Sequence, residues 1–318
     1  MVVAMINNMN DPHVERYRPW MPAEVASPLV DPVNDWVDLS DGTTLHVHRH
    51  PAPDEATATI VVLHGGGGHG RMLAPLGVLA QHLGAEALAP DLPGYGHTVV
   101  PDRRAVRYED WVSAVAQLAT QVAVPGRPLV LVGASMGGRL ALDVAHRLGP
   151  GVVQSAVATC LLDPRRPDAA AVVAKHELLV RFGFPLLQAS RRLTDRRLVP
   201  IRWLAPIDAI ANDPVLAHTC ATDPLGAGVS VPLGFLRSWL DHDPGYEPAT
   251  FQACPVVLAH PGDDRWTPLE VSRTFLDEMT VPTELVLLDG CGHFPVEPGA
   301  VPGFRAALEH ALRPVASA

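Results

Sequence analysis

From Leu129 to Gly149 the sequence reads LVLVGASMGGRLALDVAHRLG: an unbroken apolar run, a serine set among glycines, then a helical pattern. A continuous apolar run ending at glycine is the pattern of a strand buried on both faces, and such a strand needs helices above and below it. Gly149 supplies a helix stop. The stretch commits the chain to a layered α/β architecture, and the rest of the sequence agrees with it. ATIVVLHG (58–65), AEALAPDLPGYG (85–96), VVQSAVATCLLD (152–163), CPVVLAHPG (254–262) and TELVLLDG (283–290) read as strands. Residues 72–84, 108–122, 138–149, 269–279 and 300–312 carry helical spacing. WVDLSDGTTLHVHRH (36–50) reads as a hairpin turning at Asp41-Gly42. Strands alternating with helices predict a mostly parallel central sheet with helices on both faces.

The alternation breaks between Asp163 and about Thr250, where the signals are helical and punctuated by proline: DAAAVVAKHELLVRFG, PLLQASRRLTDRRL and PLGFLRSWLDH. This reads as a helical insertion over the C-terminal edge of the sheet, the edge where open α/β sheets bind ligands. The expected organisation is an N-terminal arm (1–34), a core built from 35–162 and 251–318, and a cap from 163–250.

Composition narrows the function classes. A hydrophobic content of 47% supports a sizeable core, and a net charge of −10 argues against a nucleic-acid partner. The four cysteines are scattered without a CxxC, so they are expected to be reduced and structural, in a cytoplasmic setting. Neither a signal peptide nor a membrane span is expected. Lys175 is the single lysine, and heavy use of Ala, Pro, Gly and Arg suggests a GC-rich bacterial genome.

Gly133-Ala134-Ser135-Met136-Gly137 is G-x-S-x-G placed between a strand and a helix. A sharp turn there lifts the serine hydroxyl above the sheet, and bulk two residues to either side would clash. A serine hydroxyl is a weak nucleophile and needs a base. His293, in the glycine-flanked loop after the last strand, can reach back to Ser135. That histidine needs an orienting carboxylate, and HPGDDRWTP after the preceding strand offers Asp263 and Asp264.

With LHGGGGHG (63–70), APDLPGYGHT (89–98), GASMGG (133–138), HPGDDRWTP and GCGHF, the chain resembles the α/β-hydrolase superfamily over roughly residues 55–312, of the esterase or lipase type with a cap. The resemblance implies Asp264 as the acid, four residues before Pro268, over Asp263; some relatives carry it one strand earlier, which here is Asp163. It also implies an oxyanion hole made by the backbone N–H of Met136 and by the glycine run after His64, at Gly66 with Gly67 close behind. The implied activity is hydrolysis of carboxylic esters of small to medium, largely apolar substrates through an acyl-enzyme, without cofactor or metal. The same triad would also serve carbon–carbon bond or lactone hydrolysis, or acyl transfer. A non-catalytic ligand-binding member of the fold is a further alternative, and a homodimer is left open.

Two other patterns have a bland reading. His46, His48 and His50 share one strand face and could in principle bind zinc; a solvated edge face, with Leu45 and Val47 inward, is the simpler expectation. His64 is expected to be a structural hydrogen-bonder, and Asp91 and His97 to fix the following turn. The insertion's arginines (Arg165, Arg166, Arg181, Arg191, Arg192, Arg196, Arg197 and Arg202) suit an anionic substrate or, more simply, a solvated face.

Overall fold

The computed structural model describes residues 15–166, 169, 172 and 190–314. Strands β1 (Val33–Asp38), β2 (Thr44–His50), β3 (Thr59–Leu63), β4 (Glu86–Pro90), β5 (Leu129–Gly133) and β6 (Ser155–Ala158) come before the insertion. The insertion holds β7 (Leu198–Pro200) and β8 (Ser230–Pro232), and β9 (Val256–Pro261) and β10 (Thr283–Leu288) follow it. Eight strands form one sheet in the order β1-β2-β4-β3-β5-β6-β9-β10. The β1–β2 and β2–β4 pairings are antiparallel and the rest are parallel.

Side-chain alternation along the strands divides the core in two. Val61, Leu63, Leu129, Leu131, Val256 and Leu258 pack on one face, beneath α2 (Tyr108–Val122) and α3 (Met136–Leu148). Ile60, Val62, Val130, Val132, Val257 and Ala259 pack on the other, beneath α1 (Ala74–His82) and a helix at Ala300–Ala311. Every residue of β3, β4 and β5 is buried, and after Thr59 and Glu86, the first residues of β3 and β4, those segments are apolar without alternation.

The face carrying His46, His48 and His50 is not solvated: all three are buried, on a strand that lies inside the sheet between β1 and β4. α1 covers that face, and a Cβ at Gly77 of α1 would sit 2.3 Å from the His50 ring. Leu45 and Val47 are buried on the opposite side. His46 joins Nδ1 to Asp91 at 2.8 Å, while the rings of His48 and His50 meet edge to face at 4.8 Å. Among the described residues no group of three or more His, Cys, Asp or Glu is placed to hold a metal ion.

Among the described residues the insertion holds strand as well as the expected helix. The helix expected over 168–183 lies outside the described residues apart from Ala169 and Val172, as does Arg181. A single helical turn at Arg191–Thr194 gives way to a two-stranded antiparallel ribbon, with Val199 opposite Val231. Pro200 and Pro232 restrict those valines to extended backbone, a local signal against helix. Helices α4 (Pro214–Ala221) and α5 (Leu233–Leu240) complete this part. Its arginines are partly engaged in ion pairs: Arg165 with Asp163 and Glu247, Arg166 with Glu278, and Arg196 with Asp102. The described part of the arm packs on the core, burying Tyr17 and Val25. All four cysteines are buried free thiols, and no helix of the described residues is long and apolar enough to cross a membrane.

Candidate active site

Strand register brings the functional segments to one edge. Leu63 pairs with Gly133, and Gly133 with Ala158, so β3, β5 and β6 end level. Beyond β5 the chain turns at once into α3. Ser135 takes φ 54°, and it is the one non-glycine residue with positive φ among those described. Such a conformation stores about 1–3 kcal/mol and persists only where the surroundings impose it. They do so here. The Ser135 N–H donates to Thr159 Oγ1 at 2.9 Å, the Ala134 N–H to the Leu63 carbonyl at 2.9 Å, and the Gly137 N–H to the Ala134 carbonyl at 2.8 Å.

The glycines of the turn are steric requirements. A Cβ at Gly133 would lie 1.9 Å from the Gly137 carbonyl oxygen, and one at Gly137 would lie 2.4 Å from that of Leu63. Gly138 meets the Cys160 carbonyl oxygen at 2.4 Å in the same sense, and Gly65 meets Ser135 Cβ at 2.8 Å. These contacts are backbone or rigid, so a methyl group must displace a strand. Gly137→Ala is accordingly expected to lower the free energy of unfolding by about 3 kcal/mol or more. Urea denaturation of the two proteins side by side checks this, and a variant as stable as the parent would contradict the packing described.

Ser135 Oγ lies 2.8 Å from His293 Nε2, and His293 Nδ1 lies 2.8 Å from Asp264 Oδ2. An N–H at Nδ1 donating to Asp264 leaves Nε2 as the acceptor for the serine proton. Asp264 is gripped from four directions. Its Oδ1 accepts the N–H groups of Trp266 and Thr267 at 2.7 and 2.9 Å, and its Oδ2 accepts the Thr267 hydroxyl as well as His293. Burial opposes ionisation of Asp264, but hydrogen bonds from His293 and Thr267 outweigh it and hold the carboxyl down at about 2. The Trp266 ring lies against the imidazole with centroids 4.6 Å apart, fixing its plane.

The other carboxylates sit elsewhere. Asp263 is exposed. Asp163 is paired with Arg165 at 2.6 Å and Arg139 at 3.4 Å.

Met136 opens α3, so its N–H has no acceptor within the helix. The glycine loop lies alongside: a Cβ at Gly66 would sit 3.0 Å from Met136 Sδ. Gly67 takes φ 85°. His64 anchors the start of this loop, donating from Nδ1 to the Gly65 carbonyl and accepting the Leu92 N–H at Nε2. Asp91 ties its far end, accepting the Gly70 N–H at 2.7 Å and the His97 N–H at 2.8 Å. A cleft opens at Ser135 and His293, walled by the glycine loop, Met72, Leu73, Ile210, Trp266 and Phe294.

Sequence reading missed Thr159 and Thr267. Thr159 carries no local pattern. Thr267 does: a carboxylate three residues ahead of a threonine, accepting the next backbone N–H groups, is an Asx-type turn readable as D-x-x-T.

A family model described as "Alpha/beta hydrolase family" matches residues 60–302. Among solved structures, a soluble variant of monoglyceride lipase from Saccharomyces cerevisiae superposes with a TM-score of 0.72 at 17% identity, over 92% of this chain and 97% of that one. The monoacylglycerol lipase of Paleococcus ferrophilus gives 0.65 at 22% identity, over 84% and 98%. A carboxyl esterase from Bacillus coagulans gives 0.66 at 14% identity, over 88% and 98%. At such identities the likeness is one of fold.

Proposed function

Because the chain belongs to the alpha/beta hydrolase family, we propose that it is a serine hydrolase cleaving carboxylic esters of small to medium, largely apolar substrates. The observation that carries this reading is the unbroken hydrogen-bonded line from Ser135 through His293 to Asp264, with the serine held in strained backbone. In the proposed reaction Ser135 Oγ attacks the ester carbonyl while His293 Nε2 takes its proton. His293 then protonates the leaving alcohol and activates a water that releases the acid. Asp264 fixes the tautomer throughout and stabilises the imidazolium. The N–H groups of Met136 and Gly66 are proposed to receive the oxyanion, where preorganised donors contribute several kcal/mol.

Residues 163–250 act in this reading as the cap that selects substrates. The apolar lining supplied by Met72, Leu73, Ile210, Trp266 and Phe294 supports an apolar acyl or alcohol group. A series of p-nitrophenyl esters of increasing acyl length tests the proposal. Apolar esters should be hydrolysed, and an ester whose acyl group carries a carboxylate should react at least about tenfold more slowly, since a cleft with such walls desolvates the charge without pairing it. Absence of turnover across the whole series would remove the ester reading.

A further inference from the structure

The glycine loop that carries Gly66 has no side chains with which to hold itself, yet an oxyanion donor works only at a fixed distance. What restrains its outer turn is a meeting of three distant segments. His69, just past the loop, is wholly buried, and its Nε2 lies 3.2 Å from Asp223 Oδ2. Asp223 stands 154 residues further on, inside the insertion, and is itself wholly buried. The same oxygen accepts the hydroxyl of Tyr17 from the N-terminal arm at 2.6 Å, and Arg16 approaches Oδ1 at 3.8 Å.

Asp223 also shapes the turn that leans on the loop. Its Oδ1 accepts the Leu225 N–H at 2.9 Å, and its carbonyl accepts the N–H groups of Gly226 and Gly228 at 3.1 and 2.8 Å. The turn so formed touches the glycine loop: a Cβ at Gly226 would lie 2.6 Å from the Gly67 carbonyl oxygen, and one at Gly67 would lie 3.1 Å from Ala227 Cβ. On its other side the Tyr17 ring meets Phe294 edge-on, with centroids 5.9 Å apart, one residue beyond His293. Burial opposes charge on Asp223, yet the His69 ring and the Tyr17 hydroxyl hold its carboxyl well below the usual carboxylate range.

We propose that Asp223 and Tyr17 are positioning residues: together they clamp the glycine loop at the distance from Met136 at which Gly66 can donate to the oxyanion. The proposal rests on the reading of Ser135 as nucleophile and of Met136 and Gly66 as oxyanion donors. The clamp touches no substrate, and exchanging the Asp223 carboxylate or the Tyr17 hydroxyl removes the restraint on the loop while the Tyr17 ring stays against Phe294. Its loss should therefore weaken the transition state and leave ground-state binding nearly unchanged. Loss of a whole oxyanion donor costs on the order of 10²–10³ in kcat, so a loosened donor should cost a part of that.

The test uses the full chain with Asp223→Asn and Tyr17→Phe, each assayed on p-nitrophenyl butyrate and normalised to active sites titrated with a fluorophosphonate. We expect kcat per site to fall about 10–100-fold in Asp223→Asn and about 3–10-fold in Tyr17→Phe, with KM within about twofold of the parent. Affinity for a trifluoromethyl ketone, which forms a tetrahedral adduct on serine, should fall by the same factor as kcat/KM. A merely structural contact would lower the number of titratable sites and the melting temperature while leaving kcat per site unchanged, and that result overturns the proposal. If Asp223→Asn does not accumulate folded, Tyr17→Phe decides by the same readouts, because it removes only one oxygen. A parent chain that neither turns over the ester nor takes the label would overturn the nucleophile reading itself, a result distinct from an active parent with indifferent variants.

Discussion

Alanine at position 135 is expected to lower kcat for p-nitrophenyl butyrate by on the order of 10⁵–10⁶ and to abolish labelling by a fluorophosphonate. The size follows from the arrangement of the site. His293 Nε2 has Ser135 Oγ at 2.8 Å, and without that oxygen the base has nothing to activate. Residual turnover would then come from donors and binding alone. Stability should change little. The positive φ at residue 135 is imposed by its neighbours, and alanine adopts it at much the same cost as serine. The backbone bond from residue 135 to Thr159 Oγ1 is also kept. The variant should therefore melt close to the parent while being inert. Full activity in a folded Ser135→Ala protein would place the nucleophile elsewhere.

Asp264→Asn is expected to lower kcat by about 10³–10⁴, the loss associated with an imidazole held in the wrong tautomer. The four donors around Asp264 decide the direction. Two backbone N–H groups fall on Oδ1, so the single carbonyl oxygen of asparagine settles there. Its NH₂ then faces His293 Nδ1, where Oδ2 had been. Nδ1 must become the acceptor, which moves the ring proton to Nε2 and leaves nothing to take the proton of Ser135. Asp263→Asn, one residue away and exposed, should keep kcat within about twofold. The reverse ranking of the two variants would move the acid to Asp263. No change in either would remove the carboxylate from the proposed mechanism.

The central strands were legible because burial on both faces favours apolar residues: β5 is apolar throughout and β3 is so after Thr59, and the glycine-flanked serine follows directly from the clash distances at Gly133 and Gly137. His293 and the Asp263-Asp264 pair were legible as loop residues just past strands, at the edge where such sheets work. The face of β2 was misread for a definite reason. Alternating polar and apolar residues identify a strand but not its place in the sheet, and the cover of α1 over that face depends on a pairing between distant segments. The two-stranded ribbon of the insertion was not expected because apolar spacing outweighed two Val-Pro pairs. Asp223 was invisible altogether. Its partners Tyr17 and His69 lie 206 and 154 residues away, and no local pattern links them.

The insertion between β6 and β9 also sets an order in time. The residue proposed as nucleophile lies in the first half of the chain and its hydrogen-bonding base 158 residues later, with Asp264 shortly before that base. At a synthesis rate of about 5–20 residues per second, the serine emerges roughly 8–30 s ahead of the histidine. During that interval the growing chain can form β3, β5 and their turn, yet the hydroxyl stays an ordinary alcohol. On the proposed mechanism a nascent or truncated chain ending anywhere before His293 should be chemically silent, with reactivity arriving only as the last strand joins the sheet.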